Sequence, residues 1–102
     1  MILKKLFFVS LIFFTTLLKA DPKMELGLKV YNEKAMCGTC HVLNATKSEG
    51  QIGPNLDQLK PQISQIIYAV KNGIGVMPAF EGVLSKDEID AVAYYVFSST
   101  QE

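Results

Sequence analysis

The sequence predicts an all-α domain. Three segments carry apolar residues at helical spacing, no segment alternates like a half-buried strand, and the intervening stretches are rich in Gly, Pro, Asn and Ser. No repeat, low-complexity tract or linker interrupts residues 21–102, so they read as one domain with three main helices.

The first helix is expected from about Lys23 to Ala35, with Met24, Leu28, Tyr31 and Ala35 on one stripe. The second begins near Pro61, which suits a first helical turn, and places Ile63, Ile66, Ile67 and Val70 on its apolar face. It stops at Asn72-Gly73, with Lys71 at the negative end of its dipole. The third has the clearest start: Ser85 as N-cap, Glu88 three residues on to complete a capping box, and Asp87 in the first turn. Its buried stripe is Ile89, Val92, Ala93 and Val96, with Tyr95 beside it. Residues 42–60 and 73–84 read as loops, and loops are where a small domain carries its functional groups.

Residues 1–20 read as a secretory signal peptide. Lys4 and Lys5 form a positive start, Leu6 to Leu18 carries no charge, and Ala20 precedes a cut before Asp21. The apolar run is shorter than the roughly 20 residues of a membrane span. Leu18 stands where a small residue is expected, which leaves an uncleaved anchor as the alternative. Three of the ten lysines lie in this leader, so the remainder sets seven lysines against ten carboxylates, a net charge of −3. That sign, and the absence of arginine from the sequence, argue against nucleic acid as a partner. A domain of this size buries a modest core and commonly leans on a cofactor, metal or disulfide.

Cys37-Gly38-Thr39-Cys40-His41 is the candidate attachment site for such a cofactor. Cys-x-x-Cys-His is the attachment signature of c-type haem: each thiol can form a thioether to a haem vinyl, and the adjoining imidazole is held under the iron. His41 is the sole histidine, so the opposite axial position falls to methionine, to a weaker ligand or to none. A thioredoxin-like dithiol would sit near a strand-helix-strand pattern, which is missing here. Zinc or an iron–sulfur cluster would want four ligands where two cysteines and one histidine are available. A structural disulfide would leave the histidine unexplained.

Together these residues resemble a small class I cytochrome c of the bacterial monohaem type, across essentially all of residues 21–102. The attachment motif closes the first helix, as in that family. Gly53-Pro54-Asn55-Leu56 is similar to a family loop whose proline carbonyl accepts a hydrogen bond from the proximal histidine, so the resemblance gives Pro54 the task of orienting His41. Val76-Met77-Pro78-Ala79-Phe80 resembles the distal methionine loop, which implies Met77 as the second axial ligand. The other methionines fit less well: Met1 leaves with the leader, Met24 is in the first helix, and Met36 is tethered beside Cys37. Gly27 and Tyr31, with Tyr94-Tyr95, match a pattern in which the terminal helices cross at a glycine and an aromatic; phase leaves open which of the two tyrosines is used.

The resemblance implies one covalent haem c, a periplasmic location and single-electron transfer in a respiratory chain, with no catalysis of its own. The partners implied are redox proteins: a periplasmic dehydrogenase or reductase as donor and a terminal oxidase or peroxidase as acceptor, met as a monomer or within a heterocomplex. The run from Gly53 to Pro61, followed by Gly73 to Phe80, also looks like haem subunits of periplasmic molybdenum sulfite dehydrogenases, which makes a dedicated oxidoreductase subunit the alternative. A gas-binding haem sensor is a rival that needs an open or displaceable sixth ligand, and a thiol-disulfide exchange protein is a more remote one.

Overall fold

The computed structural model describes residues 21–101; the expected leader, residues 1–20, lies outside them. Asp21 opens α1 (Pro22–Lys29), its carboxylate accepting the Lys23 N–H at 2.9 Å, while Pro22 occupies the first turn, where an N–H would lack a partner. Without a break the chain continues as a π-helical turn, Val30–Lys34, closed by the Ala35 N–H on the Val30 carbonyl at 2.8 Å. Gly27, Val30 and Tyr31 are buried and Met24 is half-buried, whereas Leu28 is 38% exposed. The expected stripe is thus corrected at Leu28. Its place belongs to Gly27, because the neighbouring helix comes too close for a side chain.

Met36 takes a left-handed conformation (φ 51°) and leads into a 3₁₀ turn, Cys37–Thr39. Two short strands follow, β1 (Val42–Leu43) and β2 (Ser48–Glu49), paired antiparallel with Val42 opposite Glu49 and Leu43 opposite Ser48. A 3₁₀ turn, Asn44–Thr46, joins them. This ladder and the four-residue α2 (Leu56–Leu59) interrupt what the sequence reads as loop. Both are too short to show a period. Asn55 caps α2, its side chain accepting the Gln58 N–H at 3.2 Å.

The second main helix, α3 (Ile63–Asn72), starts two residues later than Pro61, which is buried just ahead of it. Gln65 Oε1 accepts the Gln62 N–H at 2.8 Å and closes the start. Ile66 and Val70 are buried, with Ile63 and Ile67 packed against the core. The last helix, α4 (Lys86–Ser99), begins with the expected capping box: Ser85 Oγ accepts the Glu88 N–H at 3.1 Å and Glu88 Oε1 accepts the Ser85 N–H at 2.8 Å.

α4 is the centre of the packing, meeting α1 along one side and α3 along another. A Cβ on Gly27 would stand 2.3 Å from the Ala91 carbonyl oxygen and 2.5 Å from Tyr95 Cβ, so α1 and α4 touch backbone to backbone. The crossing tyrosine is Tyr95, whose ring lies 6.2 Å from that of Tyr31. Tyr94 reaches α1 from outside, donating to Asp21 at 3.3 Å with Lys23 over its ring. With α1 and α4 fixed, the attachment segment that follows the Val30–Lys34 turn and the 73–84 segment both line one cavity.

Candidate haem site

The 3₁₀ turn at Cys37 brings the two thiols and the imidazole into one coil. The Cys37 carbonyl accepts from the Cys40 N–H at 3.1 Å and from the His41 N–H at 3.0 Å. Both cysteines are unpaired and half-buried. Burial, the largest influence, pushes the Cys37 thiol up to about 11. A redox dithiol needs the opposite, a thiol whose pKa is lowered.

His41 is held from behind. Its Nδ1 lies 2.7 Å from the Pro54 carbonyl oxygen, which can only accept, so Nδ1 donates and the lone pair of the neutral ring falls on Nε2. Gly53 makes room for this: a Cβ there would sit 2.5 Å from His41 Cε1 and 2.9 Å from Nδ1. The Gly53 N–H also bonds the Cys40 carbonyl at 2.7 Å, tying the proline loop to the attachment coil. Gly50 approaches the same coil so closely that a Cβ would stand 2.5 Å from the Thr39 carbonyl oxygen.

A half-buried chain of hydroxyls supports this side. The Tyr31 hydroxyl is 2.9 Å from Ser48 Oγ, which is 2.9 Å from Thr46 Oγ1, itself 3.0 Å from the Leu43 carbonyl oxygen. Burial, the dominant effect, raises the Tyr31 phenol above its ordinary pKa and keeps it neutral. The chain pins the β1–β2 ladder against Gly38, where a Cβ would meet Ser48 Cβ at 2.6 Å. Its sequence signal is too weak to find: three hydroxyl residues at irregular spacing.

In the 73–84 segment, Ile74 and Met77 exchange two backbone hydrogen bonds, Ile74 N–H to Met77 at 3.1 Å and Met77 N–H to Ile74 at 2.9 Å. Met77 is half-buried and packs against the core. Cys37, Cys40, His41, Pro54 and Met77 all line one cavity of about 670 Å³, a size usual for cofactor sites (roughly 300–1,000 Å³). Its walls also include Tyr31, Leu56, Ile66 and Phe80, with no carboxylate or ammonium among the lining residues. An apolar cleft of this size, with two free thiols and an imidazole cradled over a glycine, fits a haem.

Residues 22–96 match the family described as "Cytochrome C oxidase, cbb3-type, subunit III". The chain is 36% identical to cytochrome c6 of Leptolyngbya boryana over 80 residues, spanning 74% of this chain and 92% of that protein. It is 51% identical to cytochrome c6 of Chlorolobion braunii over 84 residues, 76% of this chain and 91% of that protein. A solved structure, that of the c-type cytochrome SorU from Sinorhizobium meliloti, superimposes with a TM-score of 0.73 at 44% identity, covering 76% of this chain and 91% of that one. Fold, thiol pair and histidine are those of a haem protein of the covalent type. The chain belongs to the class I c-type cytochromes, small monohaem proteins that carry electrons to and from redox partners. Its cofactor is covalently bound haem c, and it is an electron-transfer protein rather than a catalyst.

Proposed function

We propose that this cytochrome carries single electrons in the periplasm after cleavage of residues 1–20, with its haem joined through Cys37 and Cys40 and its iron between His41 and Met77. One observation carries the reading: both axial candidates line the same apolar cavity as the thiol pair, and Pro54 already fixes the proximal ring with Nε2 as the free lone pair. The haem supplies an iron that takes up and releases one electron. His41 would hold it through Nε2 and Met77 would offer a soft neutral sulfur, a combination that raises the potential. The uncharged walls act in the same sense, because they disfavour the extra positive charge of the oxidised state. A periplasmic dehydrogenase or reductase would supply the electron in a respiratory chain, and a terminal oxidase or peroxidase would accept it.

The second reading makes the chain a dedicated haem subunit of a periplasmic oxidoreductase such as a molybdenum sulfite dehydrogenase. The resemblance of the Gly53–Pro61 and Gly73–Phe80 segments to such subunits supports it as the alternative. Co-purification with a large catalytic chain separates the two.

Replacing Met77 by alanine tests the ligand assignment. The variant is expected to keep its covalent haem, lose the near-infrared sulfur-to-iron band of the ferric state, bind carbon monoxide when reduced, and fall in potential. A variant that retains the band and refuses carbon monoxide overturns the assignment. For the leader, mass spectrometry of the native protein is expected to give an N-terminus at Asp21 with one haem added; a membrane-bound chain beginning at Met1 supports the anchor instead.

A further inference from the structure

We propose that Gly73 is the positioning residue for Met77: the space left by its missing side chain is the seat of the methionine turn. The inference rests on the assignment of Met77 as distal ligand. In sequence Gly73 looks like no more than a helix stop after Asn72. The structure gives it a second task.

An α-helix leaves the carbonyls of its last turn without partners inside the helix. At the end of α3 these are met by the segment that carries Met77. Gly73 N–H bonds the Ala69 carbonyl at 2.8 Å, Phe80 N–H bonds Val70 at 2.8 Å and Glu81 N–H bonds Lys71 at 3.3 Å. The chain thus leaves α3 at Gly73 and returns to the same helix end at Phe80. Between these points lies the closed Ile74–Met77 turn. Met77 is therefore placed relative to α3 by two anchors, and Gly73 is one of them.

Gly73 adopts φ 75° and ψ 160°, a region that belongs essentially to glycine. A Cβ there would lie 2.6 Å from the Met77 carbonyl oxygen, 2.9 Å from the Ala79 nitrogen and 3.0 Å from the Pro78 carbonyl carbon. All three are backbone atoms of the methionine segment. No rotamer change relieves such a contact, so the segment must move and Met77 with it. Two other glycines have positive φ without such a collision. Gly75 (φ 57°) and Gly82 (φ 87°) also have positive φ, yet a Cβ on either meets nothing within 4 Å. A substitution at Gly75 or Gly82 strains the backbone alone, whereas one at Gly73 adds a collision with the ligand's own segment.

The test compares Gly73→Ala, Gly75→Ala, Gly82→Ala and Met77→Ala in the full-length haem protein. The readouts are covalent haem content, helical circular dichroism, the ferric near-infrared band, carbon monoxide binding by the reduced protein and midpoint potential. Gly73→Ala is expected to keep its haem and helical signal while losing the band, binding carbon monoxide and falling in potential, as Met77→Ala does. Gly75→Ala and Gly82→Ala are expected to keep the band and exclude carbon monoxide. A Gly73→Ala protein that behaves like wild type while Met77→Ala is altered overturns the role of Gly73 alone. Equal loss in Gly75→Ala overturns it too, since conformation and not contact would be the cause. So does a Gly73→Ala chain that holds neither haem nor helical signal, since Gly73 would then serve the whole fold. If Met77→Ala itself keeps the band and excludes carbon monoxide, the ligand assignment is what fails.

Discussion

Replacing Gly27 by alanine sets two opposite effects of known size against each other. In an open helical position the change would stabilise by about 1 kcal/mol, because alanine is the better helix former. Here the new methyl would lie 2.3 Å from the Ala91 carbonyl oxygen, 2.5 Å from Tyr95 Cβ and 2.9 Å from the Ala91 carbonyl carbon. Two of these atoms belong to the backbone of α4, so relief requires α1 to withdraw by about 1 Å and loosen the Tyr31–Tyr95 contact. Overpacking costs about 1–3 kcal/mol, and a backbone collision belongs at the upper end. The net loss expected is about 2 kcal/mol after the propensity gain. For a domain of this size that lowers the melting temperature by roughly 8–16 °C. Thermal and denaturant unfolding of the ferric haem protein, followed by helical circular dichroism, measures it. A Gly27→Ala protein as stable as wild type, or more so, refutes the claim that α1 and α4 meet backbone to backbone.

Gly53→Ala places a methyl 2.5 Å from His41 Cε1 and is expected to tilt the ring away from the Pro54 carbonyl. Losing that hydrogen bond makes the imidazole a poorer donor, so the potential should rise, as potentiometry would show; an unchanged potential contradicts the orienting role of Pro54. Glu88, hydrogen-bonded first by Lys34 and then by the Ser85 N–H, has its carboxyl held below the ordinary value of 4.5. A depressed folded-state pKa gives stability that is present above 4.5 and lost as pH falls through the folded value, so Glu88→Gln should flatten the acid limb of a stability–pH curve. An acid limb identical to wild type contradicts it. Changing both Cys37 and Cys40 to serine should abolish covalent haem and, with the 670 Å³ apolar cavity left unfilled, most of the helical signal. A cooperative melt of such a chain, free of haem, would contradict the coupling.

What the sequence discloses here depends on how each signal is coded. The start of α4 is legible because Ser85 and Glu88 form a local, reciprocal cap. The attachment coil, Gly53-Pro54 and Met77-Pro78 are legible as short motifs, and the structure gathers them around one cavity. The stripe on α1 is misread at Leu28 because a hydrophobic pattern counts side chains, whereas this contact needs the absence of one at Gly27. The π-helical turn at Val30–Lys34 has no compositional mark. The β1–β2 ladder and α2 have two to four residues per element, less than one period of any pattern. Gly73 reads as a stop, and its contact with Met77 exists only once the chain has turned back on α3.

The most direct test of the central claim is a redox titration of the purified native protein under argon and again under carbon monoxide. An electron carrier with its iron closed by His41 and Met77 should give a single reversible one-electron wave at positive potential, with the reduced spectrum and midpoint unchanged by the gas. A reduced form that takes up carbon monoxide readily, shifting both spectrum and midpoint, contradicts the closed iron and places the gas-binding reading first.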